Sequence, residues 1–276
     1  MSSIEGDEGD LTRKQRREQA RAERKAMEEA HAASAARRTR LTQLGVVVAV
    51  VVVVIVVVLI ATGGKSKSGI PSSKSEITST TAAVTKLIGG IPQSANVLGS
   101  PTAPVTLEYF GDLECPICKE FTLGSLPTVI PKWVRTGKLR IEYRSLETAT
   151  REPEVFKTQQ VAAYAAGKQN KAWYFIETFY HEQGEEDSGY VTESYLQGIA
   201  KQVPGLNLTQ WTSDRNDQEL AKEVTTDEEA AKTNGFTGTP SFLIGRSGGA
   251  MSKLEFTGQP SDPTFVNEAV EKLLRS

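Results

Sequence analysis

An uncharged apolar run of 18 residues, 44–61, constrains this chain more than any other feature of its sequence. Eleven of its residues are Val, which favours strands in water. In a bilayer, an isolated segment must satisfy its own backbone hydrogen bonds and must therefore be helical. At about 1.5 Å per residue the run measures about 27 Å, close to the roughly 30 Å hydrocarbon core of a membrane. We therefore expect one transmembrane helix over residues 44–61.

Two other interpretations of this run fit the sequence less well. A core strand is much shorter than this segment. A cleavable signal peptide has a short charged start, an apolar region of about 7–15 residues and a small-residue cleavage site. Here 43 residues precede the run, and the exit sequence Ala61-Thr62-Gly63-Gly64 fits a cleavage site poorly. An uncleaved signal-anchor is the preferred interpretation.

The charges that flank the run predict its orientation. The preceding tail, 1–43, contains ten Lys/Arg and eight Asp/Glu and lacks the apolar stripe of a core-forming helix. More basic residues lie directly before the run than directly after it: Arg37, Arg38 and Arg40 before, Lys65 and Lys67 after. Because basic flanks stay in the cytoplasm, we expect a cytoplasmic tail over 1–43 and an extracytoplasmic C-terminal part in a single-pass protein of the cell membrane.

The remainder of the chain divides into a spacer and a domain. Residues 62–84 are rich in Ser, Thr, Gly and Lys over most of their length and are predicted to form a flexible linker. Residues 85–276 are enough to bury a core. Their hydrophobic patterns alternate between those of strands and those of helices. Strands are predicted at 105–110, 139–144, 241–245 and 253–256, and helices at 116–135, at 154–234 and from Asp262 onward. This order indicates an α/β fold with a helical insertion at about 150–235.

Charge and cysteine content exclude several function classes. The net charge is −2, which argues against a protein that coats nucleic acid. Only two cysteines and two histidines are present, so a scaffold with several disulfides is excluded. A zinc site built from Cys and His would need all four of them, and His31 lies in the predicted cytoplasmic tail. No metal site is expected.

The segment Cys115-Pro116-Ile117-Cys118 follows a predicted strand and opens a helix. Residues three apart share one helix face, so the two sulfurs can form a disulfide. Free N–H groups and the helix dipole stabilise a thiolate at the helix start, where Pro116 costs no hydrogen bond. Cys115 is therefore the expected nucleophile and Cys118 the buried resolving thiol. A structural disulfide closing so short a loop would add little stability.

Three segments of the chain together resemble the DsbA-like thiol–disulfide oxidoreductases. The first is residues 110–118, Phe-Gly-Asp-Leu-Glu-Cys-Pro-Ile-Cys, which is similar to the active-site segment of that family. The second is the lead-in at 98–107. The third is Gly238-Thr239-Pro240, which resembles the family's cis-proline loop. The resemblance covers roughly residues 85–276 and is strongest to membrane-anchored bacterial members.

The resemblance implies a thioredoxin fold with a helical insertion, preceded here by the transmembrane helix, and no dissociable cofactor. It implies that Thr239 and Pro240 bind substrate, and that Glu108 matches a buried acid that shuttles protons. From the residues alone, Glu108 could equally face solvent on an edge strand. Ile117 stands where the best-known oxidants of the family have His, so the oxidising strength is left open.

Three functions remain open at this point. The first is a membrane-anchored oxidase that introduces disulfides into unfolded exported proteins. The resemblance then implies a quinone-linked membrane reoxidase, DsbB-like or similar to vitamin K epoxide reductase. The second is a reductase or isomerase with the same fold. The third is a non-catalytic module that binds peptides as a chaperone does.

Overall fold

The computed structural model describes residues 74–255 and 258–276. The tail at 1–43 and the predicted transmembrane helix at 44–61 lie outside these residues. Within the described ranges no helix is both long and apolar enough to cross a membrane.

A six-stranded sheet forms the centre of the domain. Its strands are β1 (Gln93–Ser94), β2 (Val97–Leu98), β3 (Val105–Gly111), β4 (Leu139–Ser145), β5 (Ser241–Arg246) and β6 (Met251–Lys253), in the spatial order β1-β2-β4-β3-β5-β6. Strands β3 and β4 are parallel, and every other pair is antiparallel. The short β1–β2 hairpin was not predicted, because its strands are only two residues long.

Strand β3 lies between β4 and β5 and is covered on both faces, because all but one of its seven residues are buried. Leu107 and Tyr109 pack on one face, and both are fully buried. Because side chains alternate along a strand, Glu108 and Phe110 belong to the other face. The predicted strands at 105–110, 139–144 and 241–245 are confirmed to within one residue at each end.

The helix that follows β3 is built from four consecutive segments: α2 (Pro116–Glu120), π1 (Phe121–Ser125), α3 (Leu126–Val129) and π2 (Ile130–Val134). We call this combined element the active-site helix. Pro127 and Pro131 lack the N–H that an α-helix needs and clash with the carbonyl one turn earlier. The chain accommodates them by widening into π-helical turns. The predicted interruption at these two prolines is confirmed.

The helical insertion between β4 and β5 is also confirmed. It comprises α4 (Pro153–Gly167), α5 (Ala172–Glu182), α6 (Glu193–Gln202), α7 (Leu208–Asp214) and α8 (Gln218–Thr233). Helix α5 is buried on almost every side, and its aromatic residues Trp173, Phe175 and Phe179 form the core of this region. That core was predicted from the aromatic density of the segment.

The predicted linker, 62–84, extends too far toward the domain. Helix α1 (Lys74–Ile88) occupies its last part and packs on α5. Val84 and Ile88 are four residues apart and therefore share the buried face of α1. Thr80 adds a hydrogen bond to Glu182 of α5 at 2.7 Å. Composition suggested a linker here because Ser and Thr occupy the other faces of the helix.

The C-terminal elements differ slightly from the prediction. Strand β6 ends at Lys253, so Leu254 and Glu255 lie beyond it, and Phe256 falls outside the described residues. The last helix, α9 (Thr264–Arg275), begins two residues after Asp262. The Asp262 carboxylate still accepts a hydrogen bond from the Thr264 N–H at 2.9 Å, as an N-terminal capping residue does.

Candidate active site

The two cysteines lie where β3 leads into the active-site helix. Cys115 has an extended backbone and occupies the N-cap position, and Pro116 is the first helical residue. Cys115 is 5% exposed and Cys118 is fully buried. Between them, Ile117 is 41% exposed and is the one large hydrophobic side chain that the described part of the chain presents to solvent. The structure therefore places a buried thiol pair beside an exposed apolar residue.

The environments of the two thiols move their pKa values in opposite directions. The Cys118 thiol donates to the Cys115 sulfur and, despite partial burial, lowers the pKa of Cys115 to about 7, with help from the Thr239 hydroxyl and from helix-start N–H groups. Burial raises the pKa of Cys118 well above its ordinary value. Near pH 7 the Cys115 thiol of the reduced pair is therefore partly ionised to the thiolate, whereas Cys118 stays a thiol.

The loop before β5 closes over this pair. The Thr239–Pro240 peptide bond is cis, and the Cys115 Sγ lies 3.5 Å from the Thr239 carbonyl oxygen. The Ser241 hydroxyl donates to the Gly238 carbonyl at 2.6 Å and fixes the turn. The predicted cis bond and its position beside Cys115 are confirmed.

Glu108 lies on the central strand and not on an edge. Its carboxylate is 3.1 Å from the Arg144 guanidinium, with 16% of the side chain exposed. Arg144 is held on its other side by Asp227 at 2.7 Å. Glu108 belongs to the sheet face opposite Tyr109, whose hydroxyl donates to the Cys118 carbonyl at 3.4 Å. The solvent-facing alternative is wrong, and the proton-shuttle role stays a prediction.

Sequence reasoning missed Asp112, which is fully buried three residues before Cys115. One carboxylate oxygen accepts three successive backbone N–H groups, from Thr148 at 3.1 Å, Ala149 at 2.8 Å and Thr150 at 2.9 Å. The other accepts the Glu114 N–H at 3.0 Å and the Thr150 hydroxyl at 2.7 Å. Asp112 thereby joins the loop before the cysteines to the loop after β4. The available sequence signal was an acidic residue between a predicted strand and a Cys-x-x-Cys motif.

The loop held by Asp112 also contacts the cis-proline loop. The hydroxyl of Thr148 is hydrogen-bonded to the hydroxyl of Thr239. Three segments that are distant in sequence therefore meet around Cys115. Only the tertiary fold reveals this contact, because Thr148 has no motif of its own.

Gln183, at the end of α5, fixes the cysteine loop from the insertion side. Its amide donates to the Leu113 carbonyl at 2.7 Å and to the Cys115 carbonyl at 3.1 Å. Both contacts restrain the backbone on which the Cys115 sulfur is mounted. The helical insertion thus takes part in building the site.

Glu114 adjoins Cys115, and its charge would oppose a thiolate. The structure buries its side chain, and this desolvation raises the pKa of Glu114 to about 7, with a further increase from the neighbouring Asp112 charge against the Thr150 hydrogen bond. Glu114 is therefore partly neutral at the pH where Cys115 ionises. This reduces the repulsion that the sequence suggested.

A family comparison agrees with this geometry. Residues 93–252, more than half of the chain, match the family model described as thioredoxin. The chain belongs to the thioredoxin family. The match includes the Cys115–Cys118 segment and the cis Thr239–Pro240 bond, so the family model covers both parts of the site.

Curated relatives place the chain in the DsbA-like branch of the thioredoxin family. It is 24% identical over 181 residues to the probable disulfide bond formation protein D of Bacillus anthracis, covering 64% of this chain and 77% of that protein. It is also 24% identical over 153 residues to disulfide bond formation protein D of Bacillus subtilis, covering 54% of this chain and 66% of that protein.

The fold agrees with a solved structure of this branch. Oxidised BdbD from Bacillus subtilis superposes with a TM-score of 0.56 at 20% identity, over 67% of this chain and 98% of that one. With its thiol pair and cis-proline loop, this thioredoxin-family chain is a DsbA-like thiol–disulfide oxidoreductase.

Proposed function

We propose that this oxidoreductase introduces disulfides into unfolded exported proteins through Cys115 and Cys118. The observation that supports this direction is the similarity to relatives named disulfide bond formation protein D, and the reduced form of the pair carries a stabilised thiolate. The Cys118 thiol and the Thr239 hydroxyl both stabilise the Cys115 sulfur and lower its pKa to about 7. A pair whose reduced form is stabilised gives up its disulfide readily and so oxidises other thiols.

The proposed reaction begins with the Cys115–Cys118 disulfide. A substrate thiolate attacks the Cys115 sulfur, and the S–S bond breaks with Cys118 as the leaving group. Cys118 takes up a proton, because its burial raises its pKa. A second substrate thiolate then attacks the substrate sulfur of the mixed disulfide, and Cys115 leaves as the thiolate. Two electrons pass from the substrate to the enzyme, and the substrate gains one disulfide.

The cleft beside Cys115 supplies the contacts that this step needs. The Thr239 backbone lies next to the sulfur and offers an edge to an extended peptide. Ile117 adds exposed apolar surface on the other side of Cys115. Unfolded chains present both free backbone and apolar side chains. We therefore expect the protein to prefer unfolded substrates over folded ones.

We further propose that residues 44–61 anchor the protein in the cell membrane, with the tail at 1–43 in the cytoplasm and the catalytic domain outside. Disulfides persist in that compartment. The reduced enzyme must return two electrons to an acceptor, and the family resemblance implies a quinone-linked membrane protein, DsbB-like or similar to vitamin K epoxide reductase. An anchor would keep the domain close to such a partner.

A second candidate function is disulfide reduction or isomerisation. A specific observation favours it. A pKa of about 7 for Cys115 matches that of thioredoxin, a reductant, at about 7, better than that of DsbA, at about 3.5. Ile117 provides no positive charge that would lower the pKa further.

The two candidates differ in the direction of electron flow, which two assays measure. The full chain in detergent is mixed with reduced, unfolded ribonuclease A, and in parallel with insulin and dithiothreitol. An oxidase restores ribonuclease activity and has a reduction potential closer to about −120 mV than to about −270 mV. Insulin reduction with a potential near the lower value would replace our proposal with the second candidate.

A double variant, Cys115→Ser with Cys118→Ser, is the control for both assays. It keeps the size of both side chains and removes the redox pair. Activity that survives in this variant does not come from the thiols. If the unaltered chain shows neither activity, the protein is a peptide-binding module and the proposal fails.

A further inference from the structure

A groove on the far side of the active-site helix has no part in the chemistry of the cysteines. It lies among α1, the active-site helix and α5 and has a volume of about 420 Å³, within the roughly 300–1,000 Å³ range of small-molecule sites. Most of its wall is aliphatic and is formed by Ala83, Leu87, Leu123, Pro127 and Pro131. Pro127 belongs to the α-helical segment between the two widened turns of the active-site helix, and Pro131 belongs to the second of those turns.

Glu177 lies in the wall of this groove and is unusual among the acids of the domain. Its side chain is fully buried, and neither carboxylate oxygen has a hydrogen-bond partner within the described part of the chain. Leaving a polar group buried without a partner is unfavourable, and buried polar groups are nearly always paired. Asp112 and Asp227, which are also buried, both have several partners. A ligand bound in the groove would therefore supply the hydrogen-bond partner that Glu177 lacks.

The charges around the groove are positive. Lys86 of α1 and Arg135 at the end of the active-site helix line it, together with His181 one turn after Glu177 on α5. Desolvation, with a further contribution from Lys119, lowers the pKa of His181, so this imidazole is neutral at pH 7. The two remaining cations favour an anionic ligand group over a cationic one.

We propose that this groove binds a small aliphatic carboxylate, with its chain along the proline face and its carboxylate between Glu177 and the Lys86–Arg135 rim. Glu177 acts as a carboxylic acid and donates its proton to the ligand carboxylate. The aliphatic wall contacts the hydrocarbon chain of the ligand, and the cationic rim contacts its carboxylate. The site is separate from the thiol chemistry and does not depend on the direction of electron flow.

The protonation of Glu177 gives this site a definite pH dependence. Desolvation raises the pKa of Glu177 to about 8, so the acid form predominates at pH 7. Above pH 8 Glu177 becomes a carboxylate and repels the ligand. Between pH 7 and pH 9 the protonated fraction, and with it the affinity, falls about tenfold.

Isothermal titration of the full chain in detergent tests this proposal, with a titration into detergent alone subtracted. Octanoate is the probe, octylammonium has the same chain with the opposite charge, and acetate has the same charge without the chain. We expect saturable binding of octanoate with one site per chain and no saturable binding of the other two. Preferential binding of octylammonium, or no saturable binding of octanoate, overturns the proposal.

Variants of Glu177 separate a specific site from general hydrophobic adsorption. In Glu177→Gln the amide still donates a hydrogen bond, so octanoate binding persists and loses its decline between pH 7 and pH 9. In Glu177→Leu the donor is lost, and we expect binding about tenfold weaker or more at pH 7. Equal affinity of Glu177→Leu and the unaltered chain contradicts the assignment, and circular dichroism verifies that each variant is folded.

The rim is tested with a matched pair of lysine variants. Lys86→Gln removes a cation from the groove, and Lys157→Gln removes an exposed cation from α4, away from it. We expect octanoate to bind several-fold more weakly to the first and unchanged to the second. The same loss in both variants would show that net charge, and not the groove, attracts the ligand.

Discussion

The Cys115 Sγ lies 3.5 Å from the carbonyl oxygen of Thr239, although 124 residues separate the two along the chain. The same loop presents the Thr239 hydroxyl, which lowers the pKa of Cys115. One residue therefore stabilises the thiolate with its side chain and offers its backbone to a peptide. The Cys115 sulfur and the backbone segment that we propose binds the substrate are therefore in direct contact.

The different environments of the two sulfurs predict which of them forms mixed disulfides. Cys118→Ala keeps Cys115, with a pKa raised by the loss of the Cys118 hydrogen bond, and removes the resolving thiol, so covalent complexes with substrates should accumulate. Cys115→Ala leaves only a buried thiol with a raised pKa and should trap far less. Non-reducing gels of cell extracts measure these complexes as reductant-sensitive bands. Equal trapping by both variants would contradict the assignment.

Ile117→His should make the enzyme a stronger oxidant. An imidazolium beside Cys115 stabilises the thiolate, so the iodoacetamide rate profile should move from a midpoint near pH 7 to lower pH. The reduction potential should rise by about 30 mV for each tenfold gain in thiolate stability. Ile117→Val, which adds no charge, is the control. A profile that stays at the same pH in the His variant would show that residue 117 does not act on the Cys115 sulfur.

Thr239→Val and Thr148→Val should separate two effects of the contact between these residues. Both variants lose the hydroxyl–hydroxyl bond, which we expect to slow thiol exchange with an unfolded substrate about fivefold, since such a bond contributes about 1 kcal/mol. Only Thr239 stabilises the sulfur, so only Thr239→Val should raise the pKa of Cys115. Alkylation rates between pH 5 and pH 9 measure this. An equal rise in both variants would refute the distinction.

Asp112→Asn should destabilise the domain by about 2–4 kcal/mol, because the amide nitrogen cannot accept the backbone N–H groups of residues 148–150. Urea unfolding of the reduced protein gives the free energy. Asp217→Asn is the matched control: Asp217 is partly exposed, pairs with Lys168 at the surface and caps α8, and Asn caps helices as well as Asp does. A loss no greater than that of the control would mean that the loop after β4 does not depend on Asp112.

The proposed membrane topology predicts the result of proteolysis on intact cells. Protease added outside should remove the C-terminal domain and spare a tag on the N-terminus, because the basic residues before 44–61 keep the tail in the cytoplasm. Immunoblots against both ends measure the fragments. Lysed cells, in which both ends become accessible, are the control. Survival of the domain on intact cells together with loss of the N-terminal tag would reverse the orientation.

The sequence by itself determined the fold class and the redox pair. Four residues, Cys115 to Cys118, at the junction of a strand and a helix are a local pattern, and local geometry places both sulfurs on one helix face. The prolines at 127 and 131 interrupt the helix because each lacks an N–H, which is also a local property. Helical spacing and aromatic density likewise identified the insertion and its core.

Tertiary structure alone decided what surrounds the pair. In the sequence, Asp112 is only a polar residue in a loop. The fold brings the N–H groups of residues 148–150 to its carboxylate. The sequence left open whether Glu108 lies on an edge strand or inside the domain. The strand order places it on the central strand β3. Part of helix α1 was predicted to be a linker because of its Ser and Thr content. The burial of Val84 and Ile88 and the packing of this helix on α5 stabilise it instead. These outcomes depend on contacts between residues far apart in sequence, and the free energy of such contacts exists only in the folded chain.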